Sequence, residues 1–149
     1  MYRWVDHTAE VELAIEAASE RDVLADALAA LAELLGVGGG GAQAAARRSL
    51  SVHATDRPAL LAAWLEELVF LAESQGFVAT RVVSLELDDS GWREERGDSA
   101  GTIPNRSWLQ ATVAGVIDDP PPIVKAVTYH RLTFEPAAGG YTASVVLDV

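Results

Sequence analysis

The acidic residues near the two chain ends are the strongest candidates for chemistry in this sequence. Glu10 stands beside a strand-like run near the start, and the chain ends on Asp148 and Val149, where the terminal α-carboxylate joins a side-chain carboxylate. If the two ends meet in the fold, three carboxylates converge. Sites with oxygen ligands alone select calcium, magnesium or manganese over zinc and copper. Spacing alone also allows a simpler interpretation, in which these are solvated charges at fraying ends.

Lys125 is the single lysine of the chain and lies in a predicted strand directly after the proline-rich connector at residues 118–122. As a solubilising charge on a strand edge it needs no further role. As a functional group it would contact an anion or a carboxylate beside the acidic cluster. The residues themselves leave both interpretations open.

Two other patterns carry less weight. Residues 36–41 match G-x-G-x-x-G, but the dinucleotide-binding motif needs a strand before it and a helix after it, whereas here a helix precedes it. We therefore predict a loop over residues 36–48 without an assigned function. His7, His53 and His130 fall on three different predicted strands and lack the H-E-x-x-H spacing of a zinc site.

The elements that position the candidate residues follow from hydrophobic periodicity. Helical spacing predicts one helix after the cap residue Ser19 and a second opened by Asp56 and Pro58, which Gly76 ends. The polar residues 88–105 predict a long exposed hairpin loop. A period of two predicts strands over residues 11–17, 49–54, 77–87, 108–116, 123–130, 132–136 and 141–149.

This order of elements predicts an α+β fold rather than regular βαβ alternation. The simplest packing places two helices on one face of a mostly antiparallel β-sheet. A chain of 149 residues is long enough for a real core, and we predict a single domain over residues 1–149.

Charge and composition limit the classes of partner and the cellular location that we expect. The chain has 22 acidic and 11 basic residues, for a formal net charge of −11. That balance disfavours strong direct binding of nucleic acid and fits a basic protein partner or a bound cation better. The absence of cysteine removes disulfides and thiolate metal sites. No apolar run reaches the roughly 18 residues of a membrane span, and no signal-peptide pattern opens the chain, so we expect a cytoplasmic location without a membrane partner.

Four blocks of the sequence resemble the archease family. These blocks are similar to the family's H-T-A-D opening, its W-L-x-E-L helix, its I-K-A-x-T-Y-H strand and its final L-D-[IV], in the same order. In this chain they read DHTAE with the strand that follows (residues 6–15), WLEELVFLAESQGF (64–77), VKAVTYHRL (124–132) and VVLDV (145–149).

The resemblance implies an α+β sandwich of sheet and two helices, and a protein cofactor rather than an enzyme. Archeases assist the GTP-dependent RNA ligase that joins tRNA halves after splicing and acts in RNA repair. They promote guanylylation of the ligase's active-site histidine and keep the ligase turning over. On this basis we expect an RNA-splicing ligase as the partner and a divalent cation as the cofactor.

The resemblance also carries over specific residues. The family's metal site corresponds to Glu10, Asp148 and Val149, and its functional lysine corresponds to Lys125. The family usually has aspartate in place of Glu10, so the carboxylate here is displaced by one methylene, about 1.5 Å. Calcium's flexible geometry suits that displacement better than magnesium's octahedron. Asp6 then becomes a substitute or additional ligand, and His7 of the same block is a further candidate for a functional contact.

We also consider two alternative functions. A chaperone-like binding module acting on other client proteins would work through apolar surface and would not depend on Asp148. An independent metal-dependent hydrolase is disfavoured, because the sequence offers no pairing of a nucleophile with a general base.

Overall fold

The structure, a computed structural model, describes residues 1–7, 9–36, 44–88 and 107–149, and at His7 it describes the backbone alone. Most of the predicted glycine-rich loop and the predicted hairpin loop from residue 89 onwards lie outside these ranges. Within them, no helix is long and apolar enough to cross a membrane.

Two helices pack against antiparallel sheets, which confirms the predicted α+β class. The first sheet has the strand order β1-β2-β7-β6, and the second has the order β3-β5-β4. All the pairings are antiparallel. The elements in chain order are β1 (Tyr2–His7), β2 (Glu10–Ala17), α1 (Glu20–Leu34), β3 (Ala44–Ala54), α2 (Arg57–Gln75), β4 (Phe77–Leu87), β5 (Ser107–Ile117), β6 (Ala126–Ala137) and β7 (Gly140–Asp148).

Local caps begin and end the helices where the sequence predicted. The Ser19 hydroxyl accepts a hydrogen bond of 3.1 Å from the Asp22 N–H at the start of α1. The Asp56 carboxylate accepts one of 2.9 Å from the Ala59 N–H at the start of α2. Gly76 ends α2 with a φ of 65°, a left-handed conformation that glycine adopts without steric cost.

Each helix packs against both sheets, which differs from the predicted packing on one sheet. Helix α1 contacts β2 and β4, and helix α2 contacts β6, β3 and β4. The physical reason lies in α2, whose buried side chains form a stripe broad enough to face more than one sheet, while Glu66, Phe70 and Glu73 on the other side are exposed. Trp64 of α2 is fully buried and donates a hydrogen bond of 2.9 Å from Nε1 to the Leu24 carbonyl of α1, which joins the helices.

Strand β6 is continuous where the sequence predicted two strands and an earlier start. Its pairing with β7 shifts register between Thr128 and Thr133, around Arg131 with a φ of 55°. A bulge of this kind inserts unpaired residues while the strand continues along the same neighbour. The predicted strand from Ile123 was wrong at its start, since pairing begins at Ala126, after a run of prolines that lack backbone N–H donors.

Strands β1 and β3 also extend beyond the prediction. The run that enters the first predicted strand is itself paired as β1, Tyr2–His7, along β2. Strand β3 begins at Ala44, inside the stretch predicted as loop. Its first residues are alanines on both faces, so they carry no alternation that sequence reading could detect.

Candidate functional site

The chain ends meet in the first sheet, as the carboxylate hypothesis required. Strand β7 lies between β2 and β6, and Asp148 is opposite Glu10 on one side and opposite Ala126 on the other. The backbone of His7 continues the same row from β1, opposite Glu10. Directly opposed residues of an antiparallel pair project from the same face, with Cβ atoms about 4.5–5.5 Å apart. The Glu10 and Asp148 side chains therefore emerge together.

A tight connection between β1 and β2 holds the C-terminus beside Glu10. The Val149 N–H donates a hydrogen bond of 3.2 Å to the carbonyl of Ala9, which precedes β2. Ala9 has a φ of 58°. This left-handed conformation costs a non-glycine residue about 1 kcal/mol or more, and such strain concentrates at functional sites. The turn thus places the third predicted ligand, Val149, next to the other two.

The carboxylates lie on the face of the first sheet that points away from the helices. Leu13 and Ile15 of β2 and Leu147 of β7 alternate with them and are buried in the core. Glu10 and Asp148 are half-buried. The site is therefore an accessible acidic edge on a rigid sheet, and an incoming partner can reach it without any opening of the core.

The outward-facing acids of this edge differ in their charge partners. Like charges directly opposite each other across an antiparallel pair destabilise it. Among the described residues, neither Glu10 nor Asp148 forms an ion pair. Glu12 is the next outward-facing acid of β2, and it does form an ion pair. Its Oε1 lies 3.2 Å from Arg131 Nη1. Within the described ranges, Glu12 thus has a cationic partner in the protein, whereas Glu10 and Asp148 have none.

The donor set fits a hard divalent cation. The described part of the chain gathers no three His, Cys, Asp or Glu side chains in a metal-holding group. The predicted set differs in kind, because its third member is the main-chain carboxylate of Val149. Two side-chain carboxylates and a terminal carboxylate supply oxygen ligands and leave room for water, as calcium and manganese accept. Ligation by Glu10, Asp148 and Val149 stays a prediction.

Lys125 and Asp6 occupy different places relative to this edge. The Lys125 N–H donates a hydrogen bond of 2.8 Å to the Asp148 carbonyl, and its side chain is exposed. The Lys125 backbone is therefore adjacent to Asp148, one residue before β6. Asp6 pairs with Val11, so strand alternation places its side chain on the opposite face from Glu10. The structure brings Glu10, Asp148 and Val149 together, places the Lys125 backbone next to Asp148 and leaves Asp6 apart.

A buried charged cluster, absent from the sequence interpretation, joins four element ends. Arg57 is 4% exposed; its Nε lies 2.6 Å from Glu20 Oε2, and its Nη1 lies 2.5 Å from both Asp88 Oδ1 and Ser107 Oγ.

The prediction that Asp88 begins an exposed loop was wrong, because Asp88 is 9% exposed and also accepts a hydrogen bond of 2.9 Å from the Trp108 N–H. Since the partners of Arg57 lie 31 to 50 residues away, no local spacing signals the cluster.

Burial by itself would lower the pKa of the Arg57 guanidinium. The hydrogen bonds and charges of Glu20 and Asp88 outweigh that effect and raise the pKa. The guanidinium therefore stays charged and satisfied inside the protein, where it joins the starts of α1 and α2 to the end of β4 and the start of β5. This cluster has a structural role, and it lies outside the row of residues formed by Glu10 and Asp148.

Comparisons with known proteins agree with this architecture. The model of the Archease protein family matches residues 2–149. Similar curated proteins include the protein archease of Methanosarcina acetivorans, 26% identical with 99% of this chain and 95% of that protein covered. The protein archease of Pyrobaculum neutrophilum is 25% identical at the same coverage of both chains.

Solved structures show the same fold. Protein 1598 of Methanobacterium thermoautotrophicum superimposes with a TM-score of 0.71 at 23% identity, covering 99% of this chain and 98% of that one. An archease from Thermotoga maritima, described as a possible chaperone, gives a TM-score of 0.58 at 20% identity, covering 100% of this chain and 98% of that one.

Proposed function

Since the chain belongs to the Archease protein family, we propose that it is a protein cofactor of a GTP-dependent RNA ligase active in tRNA splicing and RNA repair. In this role it promotes guanylylation of the ligase and its turnover, and it is not itself an enzyme. A divalent cation, with calcium the best fit and magnesium and manganese as alternatives, is held by Glu10, Asp148 and Val149.

The observation that carries the proposal is the pairing of Glu10 with Asp148 across β2 and β7. Residues 138 positions apart in the chain place two carboxylates on one accessible edge, and the Val149 backbone is hydrogen-bonded to the same turn. A pair of unneutralised like charges is costly unless a ligand or a partner uses it. This is the arrangement expected of a site that meets a cation at an interface.

Glu10, Asp148 and Lys125 have different roles in this proposal, which follow from their positions. Glu10 and Asp148 present oxygen ligands from neighbouring strands, so their separation is set by the sheet and not by loop conformation. When bound, a divalent cation orients phosphate groups and neutralises charge that develops on them. Lys125 supplies a positive charge beside the carboxylates, where it contacts a phosphate or a carboxylate of the partner.

The test is guanylylation of a partner ligase with GTP, measured as covalent nucleotide on the ligase with and without this protein. Asp148→Ala, or extension of the chain beyond Val149 by a short tag, removes one predicted ligand each. We expect both changes to abolish most of the stimulation. Glu16→Gln is the control, because Glu16 is an exposed acid on the same strand and the same face as Glu10. It should leave stimulation intact.

The result that would refute the proposal is undiminished stimulation by both altered proteins. Equal loss in the Glu16→Gln control would instead trace the effect to general acidity and also contradict the assignment of the site.

A chaperone-like function is the second candidate, because the Thermotoga maritima archease is described as a possible chaperone. Client binding would need apolar surface. In the described residues the exposed large apolar side chains are Met1, Phe70, Val83 and Tyr129, which lie on different elements. Suppression of aggregation of an unrelated protein, unaffected by Asp148→Ala and by divalent cation, would favour this candidate over the ligase cofactor.

A further inference from the structure

The outer face of the second sheet carries two arginines on either side of a shallow groove. Arg47 of β3 and Arg81 of β4 are both paired in register with Ala114 of the central strand β5. Directly opposed residues share a face, so both side chains rise on either side of Ala114. Both arginines are exposed, whereas the alternate residues Leu50 and Val113 are buried against the helices.

The centre between the arginines is a shallow groove of about 380 Å³ with a floor of small residues. Gly115 beside Ala114 allows the β4 backbone to come close, because a Cβ atom there would lie 2.0 Å from the Val78 carbonyl oxygen. Strand β4 approaches closely at this point, where its register shifts between Ala79 and Arg81. The groove is lined by Ala45, Ala46, Arg47, Thr80, Arg81, Ala114 and Gly115.

The two arginines have no carboxylate partner in the part of the chain that the structure describes. Acidic residues outnumber basic ones by 22 to 11. By contrast, Arg57 is paired with Asp88 and Arg131 is paired with Glu12. Neither Arg47 nor Arg81 forms an ion pair within the described ranges. The groove is therefore a local positive site on an acidic protein, which points to an anionic ligand.

The spacing suits a phosphate group. Arg47 and Arg81 are separated by two strand spacings, about 10 Å. An extended arginine side chain covers more than half of that distance, so the two guanidinium groups can meet above Ala114. A guanidinium donates paired N–H groups in a planar fork that matches phosphate oxygens. One phosphate fits between the two forks, and the floor below it carries only the small side chains of Ala114 and Thr80.

The rest of this face is polar and continues away from the arginines for about 20 Å, the rise of six strand residues. Its last row pairs His53 with Trp108. Hydroxyl and amide groups bind phosphate and sugar oxygens, and an indole ring stacks on a nucleobase. An apolar centre, typical of protein interfaces, is missing from the described part of this face. The intervening outward residues are Ser49, Thr112 and Ser84, then Ser51, Gln110 and Glu86.

We propose that this face binds the sugar-phosphate backbone of single-stranded RNA, with one phosphate between Arg47 and Arg81. The choice of RNA rests on the proposed ligase-cofactor function, while the phosphate site rests on the groove alone. Two arginines and one acidic neighbour, Glu86, give a weak contact. That agrees with the expectation, from net charge, that the protein binds no nucleic acid strongly. The contact would align an RNA end while the carboxylate edge acts on the ligase.

The test is binding of a fluorescently labelled oligouridylate to the full chain, followed by anisotropy at several salt concentrations. One neutralised phosphate predicts that log Kd changes with log salt with a slope of about 0.7 for a single strand. The double change Arg47→Gln with Arg81→Gln should weaken binding by about tenfold or more at low salt. Circular dichroism and thermal unfolding of the variant confirm that it is folded.

The matched control is Arg3→Gln with Arg21→Gln, which removes the same charge from two exposed arginines elsewhere. We expect it to leave affinity within about twofold. Equal weakening by both double variants would overturn the site, and so would absence of RNA binding by the unaltered protein. Binding of a polyglutamate peptide in place of RNA would assign the face to an acidic protein. Asp148→Ala should leave RNA affinity unchanged, which separates this proposal from the carboxylate site.

Discussion

Glu10 lies directly opposite Asp148 across β2 and β7, so two carboxylates share one edge of a rigid sheet. The pairing joins the second strand of the chain to its last, and the terminal residue Val149 is held next to both. A like-charged pair in this position carries a free-energy cost that a bound cation removes. The cost and its removal are both measurable.

Neutralising one member of the pair should stabilise the protein in chelator. We expect Glu10→Gln or Asp148→Asn to raise the free energy of unfolding by about 0.5 kcal/mol, because repulsion across the strands is lost. Calcium at a hundredfold excess over its Kd should stabilise the unaltered protein by about 2.7 kcal/mol and the variants far less. Urea unfolding with chelator and with calcium measures both effects.

Glu16→Gln serves as the control for this comparison, since it removes an acid of the same strand away from the pair. A calcium response equal in the unaltered protein and in Asp148→Asn would contradict a site at this edge.

The buried cluster around Arg57 should be needed for stability. Arg57→Ala removes the ion pairs with Glu20 and Asp88 from a buried cluster, so we expect the free energy of unfolding to fall by about 3–5 kcal/mol. Arg21→Ala, at an exposed position of α1, should change it by less than about 0.5 kcal/mol. Chemical denaturation of the two variants measures the difference. A loss below about 1 kcal/mol for Arg57→Ala would show that the cluster is dispensable.

The Tyr2 hydroxyl provides a pH-dependent contact between β1 and α1. Its hydrogen bond to Glu33, together with burial and the charges of Glu33 and Asp26, raises the pKa of Tyr2 from 10.0 to about 12. A pKa raised on folding means that the contact stabilises the protein fully below pH 10 and is lost as the pH rises through about 12. The contribution should therefore disappear only in strong alkali.

Tyrosinate absorbance during an alkaline titration checks this prediction. The chain has three tyrosines, and Tyr2→Phe should remove the step near pH 12 while the other two still titrate. A variant that retains the same late step would show that another tyrosine is responsible. Stability measured below pH 10 should be lower for Tyr2→Phe than for the unaltered protein, because the hydrogen bond to Glu33 is missing.

Local signals in the sequence predicted the caps, the helices and most strands. Ser19 and Asp56 act through N–H groups three residues away, and Gly76 acts through its own backbone, so spacing reveals them. The division into two sheets was not predicted. The broad apolar stripe of α2 predicts which side of the helix is buried, but it does not show which sheet covers each part of that side.

The candidate site was recognisable only in part. Neither Glu10 nor Asp148 has a local partner, and their pairing depends on which strands become neighbours. The resemblance to a family supplied that information for the carboxylates and for Lys125. It gave no information on Arg57 and Asp88, whose contact joins residues 31 positions apart. It also gave none on Arg47 and Arg81, which lie on different strands and are related only because both pair with β5.

The most direct measurement is anomalous diffraction from crystals of the untagged protein soaked in manganese, an ion that prefers oxygen ligands. The account predicts one strong peak bounded by the carboxylates of Glu10, Asp148 and Val149, and no peak at this edge in crystals of Asp148→Ala. Absence of a peak there in the unaltered protein, or a peak held by other acidic residues, would contradict the cation site on which the proposed function depends.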